Sequence, residues 1–142
     1  MNQLRSLANS FLMERSIIDI KITIRGSVPR IPFGEIACAI LGDYFELSLV
    51  VCGDTLARKM NTTYRKKTYK PNVLSFPLSK SEGEIFLNVR KAEREAKLGR
   101  ISTRERLAYL FIHGCFNLKG LDHSDHMEHE EMRIMRKFGF KS

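Results

Sequence analysis

Hydrophobic and polar residues alternate near the start of the chain, where every second residue from Ile18 to Ile24 is isoleucine. A period of two places the isoleucines on one face of a β-strand and the intervening polar side chains on the other, solvated face. Three further segments have the pattern of strands, and the last two are joined by a polar loop. They are YFELSLVV at 44–51, NVLSF at 72–76 and EIFLNV at 84–89.

Helical spacing and capping residues predict six helices between and around these strands. Ser102 and Glu105 form an S-x-x-E capping box that opens a strongly apolar helix, and Gly120 is its natural stop. Asp54 is expected to cap a helix that enters a basic segment. The remaining helices are predicted near residues 4–12, 32–41, 90–99 and 125–139. The mixed order of elements predicts an α+β fold, with one small mixed sheet of about four strands packed with five to six helices.

The composition predicts one globular domain over residues 1–142, since 43% of the residues are hydrophobic, 28% are charged, and no repeat or linker interrupts the chain. No apolar run is long enough to span a bilayer, and we recognise no signal peptide at the start. Cys38, Cys52 and Cys115 are widely spaced and form no CxxC pair. Reduced thiols are typical of cytoplasmic proteins, which is the predicted location.

The net charge of +8 is distributed unevenly along the chain. Residues 55–70 carry six cations and no acid, with Tyr64 and Tyr69 among the cations. Such a cluster favours a phosphate-rich partner, because cations displace counterions and aromatic rings stack on unpaired bases. A solvated basic face without a partner is the alternative interpretation. The cations are Arg58, Lys59, Arg65, Lys66, Lys67 and Lys70.

The stretch HGCFNLKGLDH, residues 113–123, contains a possible metal site. Four residues turn a helix by about 400° and raise it by about 6 Å, so His113 and Asn117 share one helix face. Gly120 then allows the chain to reverse, and His123 can fold back towards that face. Three protein ligands with one open position are what a catalytic zinc needs. The alternative is that His113 is a hydrogen-bonded structural residue at a helix end.

Neighbouring residues refine this picture. Gly114 lies inside a predicted helix, where glycine is unfavourable, so we expect a close backbone approach there, for example by the NVLSF strand. Cys115 is turned away from His113 and is expected to be buried in the core. His126 and His129 fit a solvated polar face of the last helix; the alternative is that one of them replaces a missing metal ligand.

Several stretches resemble signatures of the YbeY family, the metal-dependent endoribonucleases and rRNA maturation factors of bacteria. HGCFNLKGLDH is similar to the family's H-G-x-L-H-L-x-G-Y-D-H, and MNTTYRKKTYKPNVLSFPL resembles its L-N-x-x-Y-R-x-K-x-x-P-T-[DN]-V-L-S-F-P. GEIFLN resembles its G-D-I-x-I strand. The order and spacing of these stretches agree from about residue 44 to the C-terminus.

The resemblance implies a zinc ion held by three ligands, of which His113 and His123 match the first and third. The second ligand falls on Asn117, where the family has histidine. Four arrangements are open: Asn117 ligates weakly through its amide oxygen, His126 or His129 takes its place, water does so, or the site holds no metal. An amide oxygen suits harder ions than zinc, so the predicted metal is zinc or another divalent ion. An engineered replacement of histidine would give the same sequence.

The leading prediction from this resemblance is a single-strand-specific endoribonuclease acting in rRNA maturation, with the small ribosomal subunit and its assembly factors as partners. The metal would activate water or the scissile phosphate, and Arg65, which matches the family's catalytic arginine, would pair with a phosphate oxygen. Asp122 and Glu84 are candidates for the general base. The alternatives are a non-catalytic ribosome-assembly factor with a degenerate metal site and a zinc peptidase, although no glutamate follows His113 as an HExxH helix requires.

Overall fold

The computed structural model describes residues 17–121 and 124–141. Within these ranges the chain forms four strands and five helices. The strands are β1 (Ile17–Ile22), β2 (Glu46–Cys52), β3 (Val73–Ser79) and β4 (Glu82–Asn88). The helices are α1 (Phe33–Leu41), α2 (Asp54–Arg65), α3 (Val89–Gly99), α4 (Thr103–Lys119) and α5 (Asp125–Lys137). The helix predicted near residues 4–12 lies outside the described residues.

The four strands form one mixed sheet in the order β1-β2-β4-β3. β1 pairs with β2 and β2 with β4 in parallel, whereas β3 and β4 form an antiparallel hairpin. The predicted α+β fold with one small mixed sheet is therefore confirmed. Because β1 is the outer neighbour of β2, its alternating isoleucines are only partly covered, and Ile20 and Ile22 remain 44% and 53% exposed.

The two faces of the sheet are covered by different helices. Leu49, Ile85 and Leu87 point into the main core, which also contains buried residues of α1, α4 and α5. Val50 and Phe86 alternate with them along the strands and pack in a second cluster with residues of α2. A strand turns successive side chains to opposite faces, so α4 and α2 lie on opposite sides of the sheet.

Three local predictions differ from the structure. Gly53, not Asp54, is the N-cap of α2, because the Asp54 carboxylate binds other groups instead of the helix start. Pro32 is the N-cap of α1 rather than a residue of its first turn. The polar loop between β3 and β4 is reduced to a tight turn, since β3 continues through Pro77 to Ser79 with a bulge. Pro77 is tolerated because β3 is an edge strand of the described sheet.

The helix that carries His113 begins and ends as predicted. The backbone N–H of Glu105 donates to the Ser102 hydroxyl at 3.0 Å, which confirms the predicted cap. Gly120 ends α4 in a left-handed conformation with φ of 90°, which glycine adopts at no steric cost. None of the described helices is long and apolar enough to cross a membrane.

Candidate active site

His113 lies on α4 and meets an acidic residue of α5. Its Nδ1 atom lies 2.6 Å from Oε2 of Glu131, within hydrogen-bond distance. The Glu131 side chain is buried, with 4% of its surface exposed, whereas 20% of the His113 side chain is exposed. The carboxylate of the pair therefore lies in the protein interior, and the imidazole is partly exposed at the surface.

Tyr109 supports the pair from one helical turn earlier on α4. Its ring stacks on the His113 ring, with 6.1 Å between centroids and 28° between planes. Its hydroxyl donates to Oε1 of Glu131 at 3.4 Å, a long hydrogen bond. These groups line a cleft of about 310 Å³ between α4 and the start of α5. Its other lining residues are Ser124, Asp125, Met127 and Glu128.

Gly114 brings α4 close to strand β3. The Ser75 hydroxyl donates a 2.9 Å hydrogen bond to the Gly114 carbonyl. A Cβ atom at position 114 would lie 3.1 Å from the Ser75 Oγ and 3.2 Å from side-chain atoms of Ile85 and Val73. The close approach of the NVLSF strand, predicted from the glycine alone, is thus confirmed. It fixes the position of His113 relative to the sheet edge.

Arg65 is attached to the same strand from the other side of the sheet. Its Nη2 atom donates to the carbonyl oxygen of Ser75 at 2.7 Å, and its guanidinium lies 5.2 Å from the centroid of the Phe76 ring. Ser75 therefore contacts Arg65 through its backbone and Gly114, the neighbour of His113, through its hydroxyl. The helices α2 and α4, which carry the predicted catalytic residues Arg65 and His113, therefore both contact Ser75 of β3.

The basic loop after α2 is held by hydrogen bonds to its carbonyl groups. Lys66 reverses the chain in a left-handed conformation with φ of 57°. The carbonyls of residues 67, 69, 70 and 71 then accept hydrogen bonds from side chains of α2, β4 and α3. Because these acceptors are already used, the loop presents mainly its cationic side chains to solvent. Lys66, Lys67, Tyr69 and Lys70 are all exposed.

A second cleft lies beside this loop, with a volume of about 540 Å³. Three of the predicted RNA-binding cations line it together with three threonines, and Asp54 is its one acid. Arg94 binds the Asp54 carboxylate at 2.8 and 2.9 Å, and this bond lowers the pKa of Asp54 to about 2. The acid is therefore neutralised by a partner, and the cleft is cationic. The three cations are Arg58, Lys59 and Lys70.

Tyr64 presents an aromatic surface next to Arg65. The residue is 64% exposed, and its ring meets Phe76 edge to face, with 5.7 Å between centroids. Tyr69 is 58% exposed, and the ammonium of Lys91 lies 5.8 Å from its ring centroid. Both predicted stacking residues are thus accessible to a base, and Tyr64 is the one adjacent to the candidate catalytic arginine.

Three other predicted residues do not line the His113 cleft. His126 and His129 are exposed and are not among the residues that line its cleft, in agreement with a solvated helix face. Glu84 alternates with the main-core residues of β4 and so lies on the α2 side of the sheet, opposite α4. Glu84 thus lies on the same side of the sheet as Arg65, and it is not among the residues that line the His113 cleft. Asp122 and His123 lie outside the described residues.

The side chains that could bind a metal ion among the described residues can be compared with the predicted zinc site. Hydrogen bonding of one imidazole nitrogen to a buried carboxylate is usual for metal-binding histidines, and the contact of His113 Nδ1 with Glu131 has this form. Asn117 follows one turn later and is partly buried. Over residues 17–121 and 124–141, no three His, Cys, Asp or Glu side chains converge to hold an ion. His113 thus fits a ligand role, while the complete set depends on position 123.

Sequence reasoning missed three residues of this site: Tyr109, Glu131 and Ser75. Tyr109 lies four residues before His113 on the same helix, and that spacing is a usable signal. Glu131 was one of five acids near the C-terminus, with nothing to distinguish it before α5 is packed on α4. The predicted burial of Cys115 in the core is confirmed, and burial raises the pKa of its thiol.

The sequence profile described as "Endoribonuclease YbeY" matches residues 35–141. The chain therefore belongs to the YbeY family. The protein named Endoribonuclease YbeY from Geobacter metallireducens is 34% identical over 101 residues, covering 65% of this chain and 67% of that protein. The protein of the same name from Pseudomonas putida is 35% identical over 100 residues, covering 65% and 64%.

The matched region spans about two thirds of the length of these relatives. A solved structure has a similar fold: the solution structure of TM1509 from Thermotoga maritima superposes with a TM-score of 0.62 over 84% of this chain and 89% of that chain. The identity to that protein is 21%, so this likeness concerns the fold alone.

Proposed function

We propose that this chain is a metal-dependent endoribonuclease that cuts single-stranded RNA in rRNA maturation. The observation that carries the proposal is the contact of Arg65 and Gly114 with the same residue, Ser75, which joins a cationic surface to the His113 cleft. Family membership and the names of the relatives support the reaction class. Ribosomal RNA, the small ribosomal subunit with its assembly factors and a cytoplasmic location belong to the same proposal.

The arrangement of the two surfaces favours a single strand over a duplex. The cationic cleft lies on the α2 side of the sheet and the His113 cleft on the α4 side, with β3 as the edge between them. A flexible strand can follow this turning surface, whereas an A-form helix presents its phosphates on a stiff cylinder. Exposed Tyr64 would stack on an unpaired base near the edge.

In the proposed mechanism, Arg65 binds a nonbridging phosphate oxygen and offsets the charge that develops there. Its bond to Ser75 and its contact with the Phe76 ring hold the guanidinium in place, so little ordering is needed when RNA binds. His113, Asn117 and His123 would hold the metal, which would supply water activation. Lys59 and Lys70, with the other loop cations, hold the flanking phosphates.

The test measures bound metal by elemental analysis of tag-free protein, with cleavage of a single-stranded RNA in parallel. The given chain and Asn117→His are compared. Metal and cleavage in both would support the proposal with Asn117 sufficient, whereas gain of both only in the histidine variant would indicate that position 117 limits metal binding. Arg65→Ala should abolish cleavage in whichever protein is active. Cleavage unchanged by Arg65→Ala would contradict the role of this residue.

Asn117 favours a second candidate: a non-catalytic factor that binds RNA or the ribosome through the same basic surface. An amide is a poorer zinc ligand than imidazole, so a weakened site is expected at this position. In that case neither protein would cleave RNA, and RNA binding would survive chelation. Binding lost on chelation would instead contradict this candidate.

A further inference from the structure

We propose that Glu131 is a positioning residue that fixes the ring orientation and tautomer of His113, so that Nε2 is the reactive nitrogen. The inference deepens the proposed function and rests on it for its link to RNA cleavage. It is carried by the 2.6 Å distance between Nδ1 of His113 and Oε2 of Glu131. The two residues are 18 positions apart and belong to different helices, so the contact exists only in the folded protein.

The burial of Glu131 requires an explanation. Only 3% of the residue is exposed, and a carboxylate removed from water carries a substantial free-energy cost unless it is paired. In the described structure its oxygens are hydrogen-bonded to His113 and, weakly, to Tyr109. An apolar side chain of similar size would fill this position at lower cost. A buried acid directed at one imidazole nitrogen therefore indicates a role in the site.

The contact determines which nitrogen faces the reaction. A carboxylate accepts hydrogen bonds, so the proton of a neutral His113 ring lies on Nδ1, and Nε2 carries the lone pair. In the protonated ring the Nδ1–H is still directed at Glu131. The nitrogen that can coordinate a metal is therefore Nε2 of the neutral ring. The stacked ring of Tyr109 restricts rotation of the imidazole, which completes the positioning.

The other groups around the cleft do not provide this contact. Asp125 and Glu128 lie on the first turn of α5, line the same cleft and are exposed. Their negative charge would attract a cation to the cleft opening, but the carboxylate that accepts the hydrogen bond from Nδ1–H is that of Glu131. Ser124 is occupied as the N-cap of α5, where its hydroxyl accepts the backbone N–H of Met127 at 3.3 Å. Glu131 is therefore the acid to test.

The first test is nitrogen-15 NMR of the four histidine rings, with His113 assigned through His113→Gln. We expect the wild-type ring to carry its proton on Nδ1. Glu131→Leu removes the acceptor and should shift the ring towards the Nε2–H tautomer. Glu131→Gln keeps an acceptor oxygen and should retain the Nδ1–H tautomer. A wild-type ring protonated on Nε2 would overturn the proposal even if the leucine variant failed to fold.

The second test measures zinc affinity by chelator competition and the kcat and KM of RNA cleavage on the same proteins. Loss of a residue that orients a ligand typically weakens metal affinity or activity by about 10- to 100-fold. We expect such a loss in kcat for Glu131→Leu, with KM little changed and partial recovery in Glu131→Gln. Glu130→Gln serves as the control with small effects, because this neighbouring acid of α5 pairs with Arg133 and does not line the cleft.

These measurements separate the two proposals. If the wild-type chain does not cleave RNA, the proposed function fails. The role of Glu131 is then still tested by the tautomer of His113 and by the zinc affinities of the wild-type and variant proteins. A folded Glu131→Leu protein with unchanged tautomer, zinc affinity and cleavage would exclude the positioning role and leave the nuclease proposal intact.

Discussion

Ser75 and Gly114 are joined by a 2.9 Å hydrogen bond from the serine hydroxyl to the glycine carbonyl, across 39 positions of sequence. The contact lets β3 lie directly against the helix that carries His113. It is possible only because position 114 has no side chain. The distance between the helix and the strand is therefore set by one glycine, and this sets the position of the candidate active site relative to Arg65.

Gly114→Ala should destabilise the protein. The new Cβ atom would lie 3.1 Å from the Ser75 Oγ and 3.2 Å from two apolar side-chain atoms, so α4 must move. The overpacking exceeds the gain in helix propensity, and we expect a net loss of about 1–2 kcal/mol in the free energy of unfolding, measured in urea. Gly99→Ala is the matched control, because its nearest contact lies at 4.0 Å. Equal stability of both variants would contradict the packing argument.

Asp54→Asn should remove a pH-dependent part of the stability. Binding to Arg94 lowers the pKa of Asp54 from 3.8 to about 2. A lowered pKa in the folded state means that the stabilisation is fully present above about pH 4 and is lost as the pH falls towards 2. Solvent screens this pair, so we expect a difference of at most about 1 kcal/mol.

The measurement for Asp54→Asn is urea unfolding of both proteins at pH 6 and at stepwise lower pH. The difference in the free energy of unfolding should shrink as the pH falls below about 4. A difference that is constant over this range would show that the carboxylate charge does not act through Arg94.

Binding of single-stranded RNA should depend steeply on salt through the cations of the second cleft. The logarithm of the affinity falls with the logarithm of the salt concentration, and each phosphate contact that is lost reduces the steepness of this fall by about 0.7. We expect a decrease of about 1.4 for Lys59→Ala combined with Lys70→Ala, measured by fluorescence anisotropy. Lys21→Ala is the control, because this exposed lysine lies on β1, at the opposite edge of the sheet from β3. An equal decrease in the control would indicate unspecific attraction.

The three thiols should differ in reactivity. Burial raises the pKa of Cys52 to about 12 and also raises that of Cys115, whereas Cys38 is partly exposed. The thiolate is the reactive form, so iodoacetamide at pH 8 should label Cys38 first. Mass spectrometry of labelled peptides measures the order. In denaturant all three should react at similar rates, and early labelling of Cys115 in the native protein would contradict its place in the core.

The one-dimensional pattern accounts for the elements and for several of their ends. Period-two alternation identified β1, the Ser102–Glu105 pair identified the start of α4, and Gly120 identified its end. These features depend on neighbours within a few residues, which a sequence displays directly. Gly114 also allowed one tertiary contact to be predicted, because a glycine inside a helix indicates that a neighbouring element lies too close for a side chain.

The sequence by itself therefore determined the α+β class, the helix that carries His113 and the cationic stretch of residues 55–70. The tertiary structure decided that α2 and α4 lie on opposite faces of the sheet, that Arg65 meets Ser75 at its edge and that Glu131 pairs with His113. These contacts join residues far apart in the chain. They follow from the packing of hydrophobic faces around the whole core, which no local pattern specifies.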